Sequence, residues 1–352
     1  MMKNTPSLPV TDTILIPVTE KSAWTAAELA GDSNWVRRLS TEELSALESV
    51  TADLAAQGRG AQQFGREDID APELAALADW AVAELEHGRG CVLIKGLEVA
   101  RYDRPRIEAM YWALTVLMGQ PMHHNPDGDV IGEVTDKGLD YNDPLIRGYK
   151  TRQKLYFHCD GLDMVSLLCL QPSMSGGESQ IASSMAVYNE ILMTRPEYLP
   201  VLYEGFHFNL RGEGEAGETH PVTRHKVPVY SWCDGRLSCR YLRKAIIEGQ
   251  EFIGEPISDL AREALDYMQE LCVSDRFRYD MTFEQGDIQI LNNYVTLHSR
   301  AAFEDWPDGT RKRNLLRIWF NARGGRKLDP KFADRYNMGP RTPMRLKSER
   351  AA

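Results

Sequence analysis

The densest chemistry in the chain is the run Leu155-Tyr156-Phe157-His158-Cys159-Asp160-Gly161. Side chains alternate between faces of an extended strand, so His158 and Asp160 point one way and Cys159 the other. A histidine and a carboxylate so placed can take adjacent positions on a metal ion. One distant histidine then completes a 2-His-1-carboxylate facial set, which leaves three positions on Fe(II) open. In 352 residues with 8 His and 51 acids, chance alone supplies about one His-x-acid pair. The pair gains weight from its downstream company. Gly286-Asp287-Ile288-Gln289-Ile290-Leu291-Asn292-Asn293 leads an apolar strand into a turn and delivers His298. After the turn Asp308-Gly309-Thr310, Arg313 and Arg317 stand four apart in a final strand, so both face one side as fixed cations. A guanidinium grips a carboxylate bidentately, as the far end of an iron-bound α-keto diacid requires.

With these residues in place the sequence resembles the taurine dioxygenase/2,4-dichlorophenoxyacetate dioxygenase family of Fe(II)- and 2-oxoglutarate-dependent oxygenases, near its clavaminate-synthase-like members. The resemblance covers about residues 90 to 322 and rests on His158-x-Asp160, Gly176-Gly177-Glu178-Ser179, Asn292-Asn293 ahead of His298, and the closing arginines. It implies that His158, Asp160 and His298 ligate the iron and that Arg313 binds the 2-oxoglutarate tail carboxylate. Ser179 would assist Arg313, where the family commonly has Thr, and Arg317 would touch the substrate. The spacing from His298 to Arg313 is one residue longer than the family's. If the loop 303–310 absorbs the extra residue the assignment stands; otherwise Arg313 and Arg317 exchange roles. The implied reaction consumes O2 and 2-oxoglutarate, releases succinate and CO2, and oxidises an unactivated C–H of a small molecule. Halogenating relatives carry a small residue where Asp160 stands, which implies oxygenation, with hydroxylation ahead of desaturation or ring closure. An amino-acid derivative or a specialised-metabolism intermediate is the expected substrate class.

The elements that must hold these residues also leave their marks in the sequence. Residues 41–57 and 71–87 carry helix signals, the first opening on Thr41 with acids behind it, the second running from Pro72 to a stop at Gly88. A strand at 91–94 and a helix over about 104–118 come next. Beyond residue 150 the texture changes to short strand-like runs at 155–157, 165–170, 180–181, 227–231, 277–279, 288–291 and 315–321, interrupted by helices near 184–195 and 257–272. Many short strands with few helices predict a mainly β fold with flanking helices, a double-stranded β-helix or jelly roll. The expected division is an N-terminal arm and helical extension over 1–89, with one strand at 13–18, the oxygenase jelly roll over 90–322, and a basic C-terminal segment over 323–352. The polar stretch 210–228 reads as a loop and a candidate lid. Its literal G-x-G-x-x-G at Gly212, Gly214 and Gly217 is discarded, because three glutamates beside it would repel a pyrophosphate.

Composition narrows the function classes. Lys plus Arg is 41 against 51 Asp plus Glu, a net charge of −10, which repels phosphate backbones and argues against nucleic acid. Residues 323–352 run against this trend with nine Lys/Arg and three Asp/Glu, and they read as a solvated tail. Six scattered cysteines without C-x-x-C read as reduced thiols, and no run approaches the length of a membrane span, so a cytoplasmic protein is expected. A small-molecule substrate is the expected partner, with neither nucleic acid nor membrane, and homo-oligomerisation is left open. His123 and His124, His207, His220, His225 and the stretch 136–142 read as surface or loop residues. Two alternatives stand beside the oxygenase: a Zn-dependent hydrolase using the same ligands, and a non-catalytic anion-binding jelly roll.

Overall fold

The computed structural model describes residues 14–125, 127–139, 148–211, 221–307, 309 and 311–337. Helices form where caps and apolar stripes direct them: α1 (Ala26–Ala30), α2 (Thr41–Ala56), α3 (Pro72–His87), α4 (Arg104–Met118), α5 (Ser184–Thr194), α6 (Leu199–Glu204), α7 (Arg243–Phe252), α8 (Asp259–Val273) and α9 (Pro330–Ala333). The cap of α2 is Ser40, one residue before the expected Thr41. Its hydroxyl accepts from the Glu43 amide while the Glu43 carboxylate returns to the Ser40 amide, a reciprocal box that Thr41 cannot form.

The strands are β1 (Val36–Arg38), β2 (Cys91–Lys95), β3 (Gly119–Met122), β4 (Ile131–Val134), β5 (Met164–Gln171), β6 (Ser175–Gly176), β7 (Ser179–Ser183), β8 (Tyr230–Cys233), β9 (Arg236–Cys239), β10 (Tyr279–Met281), β11 (Ile288–Asn292), β12 (Thr296–Arg300), β13 (Phe303–Glu304) and β14 (Asn314–Ala322). The larger sheet runs in the order β1-β2-β11-β5-β14-β3, with β4 also on β14, and the smaller in the order β10-β7-β12.

Alternation sorts the side chains of the larger sheet between two layers. Val92, Ile94, Met164, Leu168, Ile290, Leu316, Ile318 and Phe320 face outward into a cluster with α2, α3 and α4. Leu93, Val165, Cys169, Leu291, Leu315 and Trp319 face the other way, where Ile181 and Met281 of the smaller sheet meet them. Behind the smaller sheet, Ala182 and Leu297 pack under α5, α6 and α8. This is the expected mainly β jelly roll with flanking helices.

Three local expectations fail. Residues 14–18 form no strand: the Asn189 side chain takes both the amide and the carbonyl of Val18, at 2.8 Å each, in place of a ladder. Residues 155–157 are not a strand either: the Leu155 amide donates to the Arg300 carbonyl at 2.9 Å and His158 forms an isolated bridge to His298, but no ladder joins the two. Finally, the C-terminal segment is not a solvated tail over its described part. Arg326, Phe332, Ala333, Arg335, Tyr336 and Asn337 are all buried. Of the loop 210–228, residues 212–220 lie outside the described residues; on either side of them Asn209 bridges Val222 and Phe206 bridges Val227. Among the described residues no helix is long and apolar enough to cross a membrane.

Candidate active site

His158 and His298 exchange both backbone hydrogen bonds, at 2.9 and 2.8 Å, which sets their rings side by side with centroids 4.4 Å apart. Asp160 completes the set. Its two oxygens lie 3.9 Å from His158 Nε2 and 3.8 Å from His298 Nε2, and one donor atom from each of the three residues falls within 4.8 Å of the others. The parity of β12 explains the aim of His298: Leu297 enters the apolar layer behind the smaller sheet, so its neighbour faces the interior.

Hydrogen bonds and burial prepare these groups for a metal. His158 Nδ1 donates to the Tyr156 carbonyl at 2.8 Å, which turns Nε2 toward Asp160. Burial, with His158 and Arg317 nearby, pulls the His298 pKa down to about 3 despite Asp160, so its imidazole is neutral. For Asp160, burial acts to raise the pKa. His298, Arg317 and His158, together with a hydrogen bond from Trp319, outweigh it and hold the carboxyl low. Two imidazoles, that of His298 held neutral, and an ionised carboxylate are a donor set that a divalent first-row cation accepts.

The surrounding residues fix the carboxylate. Trp319 Nε1 donates to Asp160 Oδ2 at 2.8 Å, and Asn293 Oδ1 accepts from the Asp160 amide at 2.9 Å while its Nδ2 holds the Leu162 carbonyl. Sequence reasoning missed Trp319. It stands two residues beyond Arg317, so strand alternation alone would have placed it on the same face. Neighbouring Asn292 serves the turn, donating to Leu85 O and accepting from the Tyr294 amide.

The two arginines separate. Arg317 faces the cavity of about 1120 Å³ that opens onto His158 and Asp160, its guanidinium 4.7 Å from the Trp319 ring centroid. Arg313 lies elsewhere, beside the Gly176-Gly177 turn and outside that lining. Its Nη2 is 3.5 Å from the Gly177 carbonyl and its guanidinium 5.3 Å from the Phe303 ring centroid. Nη1 is buried without a hydrogen-bond partner among the described residues, and burial pulls the Arg313 pKa down to about 10. A buried guanidinium with an unsatisfied N–H is the feature a carboxylate would complete. Ser179 lies on the same inner side, but its hydroxyl donates to Gln289 Oε1 at 2.7 Å.

The remaining histidines divide between surface and interior. His207 bonds the Thr223 carbonyl and His225 the Lys331 carbonyl, away from the three candidate ligands. His124 lies in the expected loop after β3 and is buried there, with its ring 6.1 Å from that of Trp319. Residues 140–142 and His220 lie outside the described residues.

Against known proteins, the taurine catabolism dioxygenase TauD, TfdA family matches residues 54–319. FR-33289 synthase of Streptomyces rubellomurinus is 31% identical over 316 residues, covering 89% of this chain and 92% of that protein. Among solved structures, asparagine oxygenase with Fe(II), 2S,3S-3-hydroxyasparagine and succinate superposes with a TM-score of 0.60 at 19% identity, over 86% of this chain and 98% of that one. The non-heme iron oxygenase OrfP with Fe, succinate and (3S)-hydroxy-L-Arg gives 0.58 at 17%, over 81% and 94%. These matches lend no support to the zinc-hydrolase or non-catalytic alternatives. The chain belongs to the TauD/TfdA dioxygenase family: it is an oxidoreductase, with iron and 2-oxoglutarate as cofactor and co-substrate.

Proposed function

We propose that His158, Asp160 and His298 hold Fe(II), that Arg313 grips the tail carboxylate of 2-oxoglutarate, and that the chain hydroxylates an unactivated C–H of a small amino-acid derivative. The observation that carries the reading is the convergence of three donor atoms within 4.8 Å, with the neutral His298 imidazole beside an ionised carboxylate. When bound, iron with 2-oxoglutarate and O2 supplies the oxidising power, and succinate and CO2 leave.

The chain's own residues do the rest. Trp319 and Asn293 hold Asp160 in one orientation, with Oδ2 accepting from the indole, and the carboxylate so fixed would serve as the acidic ligand of the ion. Arg313 supplies the cation for the co-substrate's far end, and Ser179 would turn from Gln289 to assist it. Arg317, in the cavity wall beside the ligands, orients the substrate through a carboxylate or other anion. The amino-acid class draws on asparagine oxygenase and OrfP, whose structures hold a hydroxylated asparagine and a hydroxylated arginine. All six cysteines are free and five are buried, which favours a reducing compartment, and we place the enzyme in the cytoplasm.

Anaerobic addition of Fe(II) and 2-oxoglutarate tests the reading. It predicts a weak visible charge-transfer band that is absent in His158→Ala and lost when Zn(II) replaces iron, with succinate formed once O2 is admitted. No band and no succinate would overturn it.

A further inference from the structure

The cavity in front of the candidate ligands is lined by far more cations than acids, and most of those cations have partners. Arg243 pairs with Asp266 at 2.5 Å, and Arg211 and Lys244 both reach Glu248, at 3.3 and 3.8 Å. Arg335 bonds the Tyr294 hydroxyl at 2.8 Å and lies 3.5 Å from Asp163. Arg240 differs. It lines the same cavity, yet its guanidinium makes no hydrogen bond or ion pair with any described residue, and the Phe208 ring lies 5.6 Å from it. Burial and the nearby charge of Arg335 both pull its pKa down, so holding this cation here costs free energy.

Its place in the fold ties it to the reaction centre. The carbonyl of Tyr241 accepts from the amide of Cys159 at 2.9 Å, and Cys159 sits between His158 and Asp160. The ligand segment therefore runs between residues 240–241 on one side and Trp319 of β14 on the other, with Arg317 two residues before Trp319. A hydroxyl donor completes the arrangement. Tyr336 lies across Gly161, its oxygen 2.5 Å from where a Cβ on that glycine would be, and it lines the cavity with Arg240.

We propose that Arg240, with the Tyr336 hydroxyl, forms a second oxyanion subsite, so that the substrate carries two anionic groups, one for Arg317 and one for Arg240. The inference rests on the proposed function and narrows its substrate class. A guanidinium accepts a carboxylate or a phosphoryl group in the same forked geometry, so both are tested.

Anaerobic enzyme loaded with Fe(II) and 2-oxoglutarate is titrated with L-glutamate and O-phospho-L-serine, and with their neutral counterparts L-glutamine and L-serine, while perturbation of the visible band is monitored. Wild type is expected to bind one or both acids at least about tenfold more tightly than the matching neutral compound. Arg240→Gln should erase that preference and Arg240→Lys should keep part of it, with the undiminished band showing that each variant is folded. In a second arm, sodium phosphate at an ionic strength matched by sodium chloride should raise the Tm of metal-free wild type and not that of Arg240→Gln. Equal affinities for acid and neutral compound, no response to either acid, an unchanged preference in Arg240→Gln, or equal phosphate protection of both proteins would each overturn the subsite. A wild type without the charge-transfer band is instead a failure of the proposed function, and the phosphate arm then decides Arg240 by itself.

Discussion

Arg313 carries a charge that its surroundings barely compensate. Among the described residues the carboxylate that acts on it is Asp305, which accepts from the Arg313 backbone amide and forms no ion pair with the guanidinium. A pKa lowered from 12.5 to about 10 means that the cation is disfavoured on folding, and the penalty is fully present at every pH below about 10. At neutral pH that is about 3 kcal/mol. Replacing the side chain by an apolar one of similar length removes the penalty. Arg313→Met is therefore expected to leave the 2-oxoglutarate-free protein as stable as wild type or more stable, by up to about 3 kcal/mol in denaturant unfolding. The same variant should lose 2-oxoglutarate affinity while still binding iron. If 2-oxoglutarate affinity stays intact, Arg317 takes the co-substrate role. Trp319 makes the complementary case, a neutral group that steadies a charged one. Trp319→Phe keeps a ring but removes the donor to Asp160, and it should weaken Fe(II) binding by about 10- to 100-fold as read by metal titration. Wild-type iron affinity in that variant would mean that the indole hydrogen bond does not position the ligand.

At the level of the element, the turn before β7 shows why sequence signals succeed in one place and fail in another. Gly176 and Gly177 both sit at positive φ, +67° and +76°, a conformation that glycine adopts without steric cost. A Cβ on Gly177 would come 2.8 Å from Ser173 Oγ and 3.1 Å from Arg313 Nε. Gly177→Ala should therefore raise the KM for 2-oxoglutarate several-fold and cost about 1 kcal/mol of stability, with iron binding unchanged. An effect on stability with no change in KM would uncouple the turn from Arg313. Two glycines and alternating apolar residues are local signals, so this turn and strands such as β5, β11 and β14 were legible in the sequence. The strand expected at 155–157 was not, because His158 is held in place by a bridge to a residue 140 positions away. That pairing leaves no local pattern, although the ligand types themselves were readable. Helix α7 escaped for a related reason. Ala245 and Ile246 give it an apolar side, but its other buried positions are Gly249 and Gln250, which pack on the backbone around His207, and neither residue type extends an apolar stripe.

For the whole molecule, the C-terminal segment was misread because net charge describes composition and says nothing of partners. Arg335 and Arg313 are equally buried arginines whose surroundings act in opposite directions. Burial acts to lower the Arg335 pKa, but Tyr294 and Asp163 outweigh it and the net shift is upward. Asp163, Tyr294 and Arg335 form a buried triad. Tyr294 donates to Asp163 at 2.6 Å and accepts from Arg335, which joins residues past 330 to the turn that precedes β12. That turn also supplies Asn293, the residue bonded to the Asp160 amide. A break in the triad therefore leaves a buried carboxylate short of its cation and loosens the support of the reaction centre together. Arg335→Met is expected to cost about 3–5 kcal/mol in denaturant unfolding, opposite in sign to Arg313→Met. It should also weaken Fe(II) binding, although Arg335 touches none of the candidate ligands. Comparing the two variants in one unfolding series checks the idea. If both substitutions shift stability in the same direction, pairing is not what distinguishes these arginines, and the C-terminal segment covers the jelly roll without bracing it.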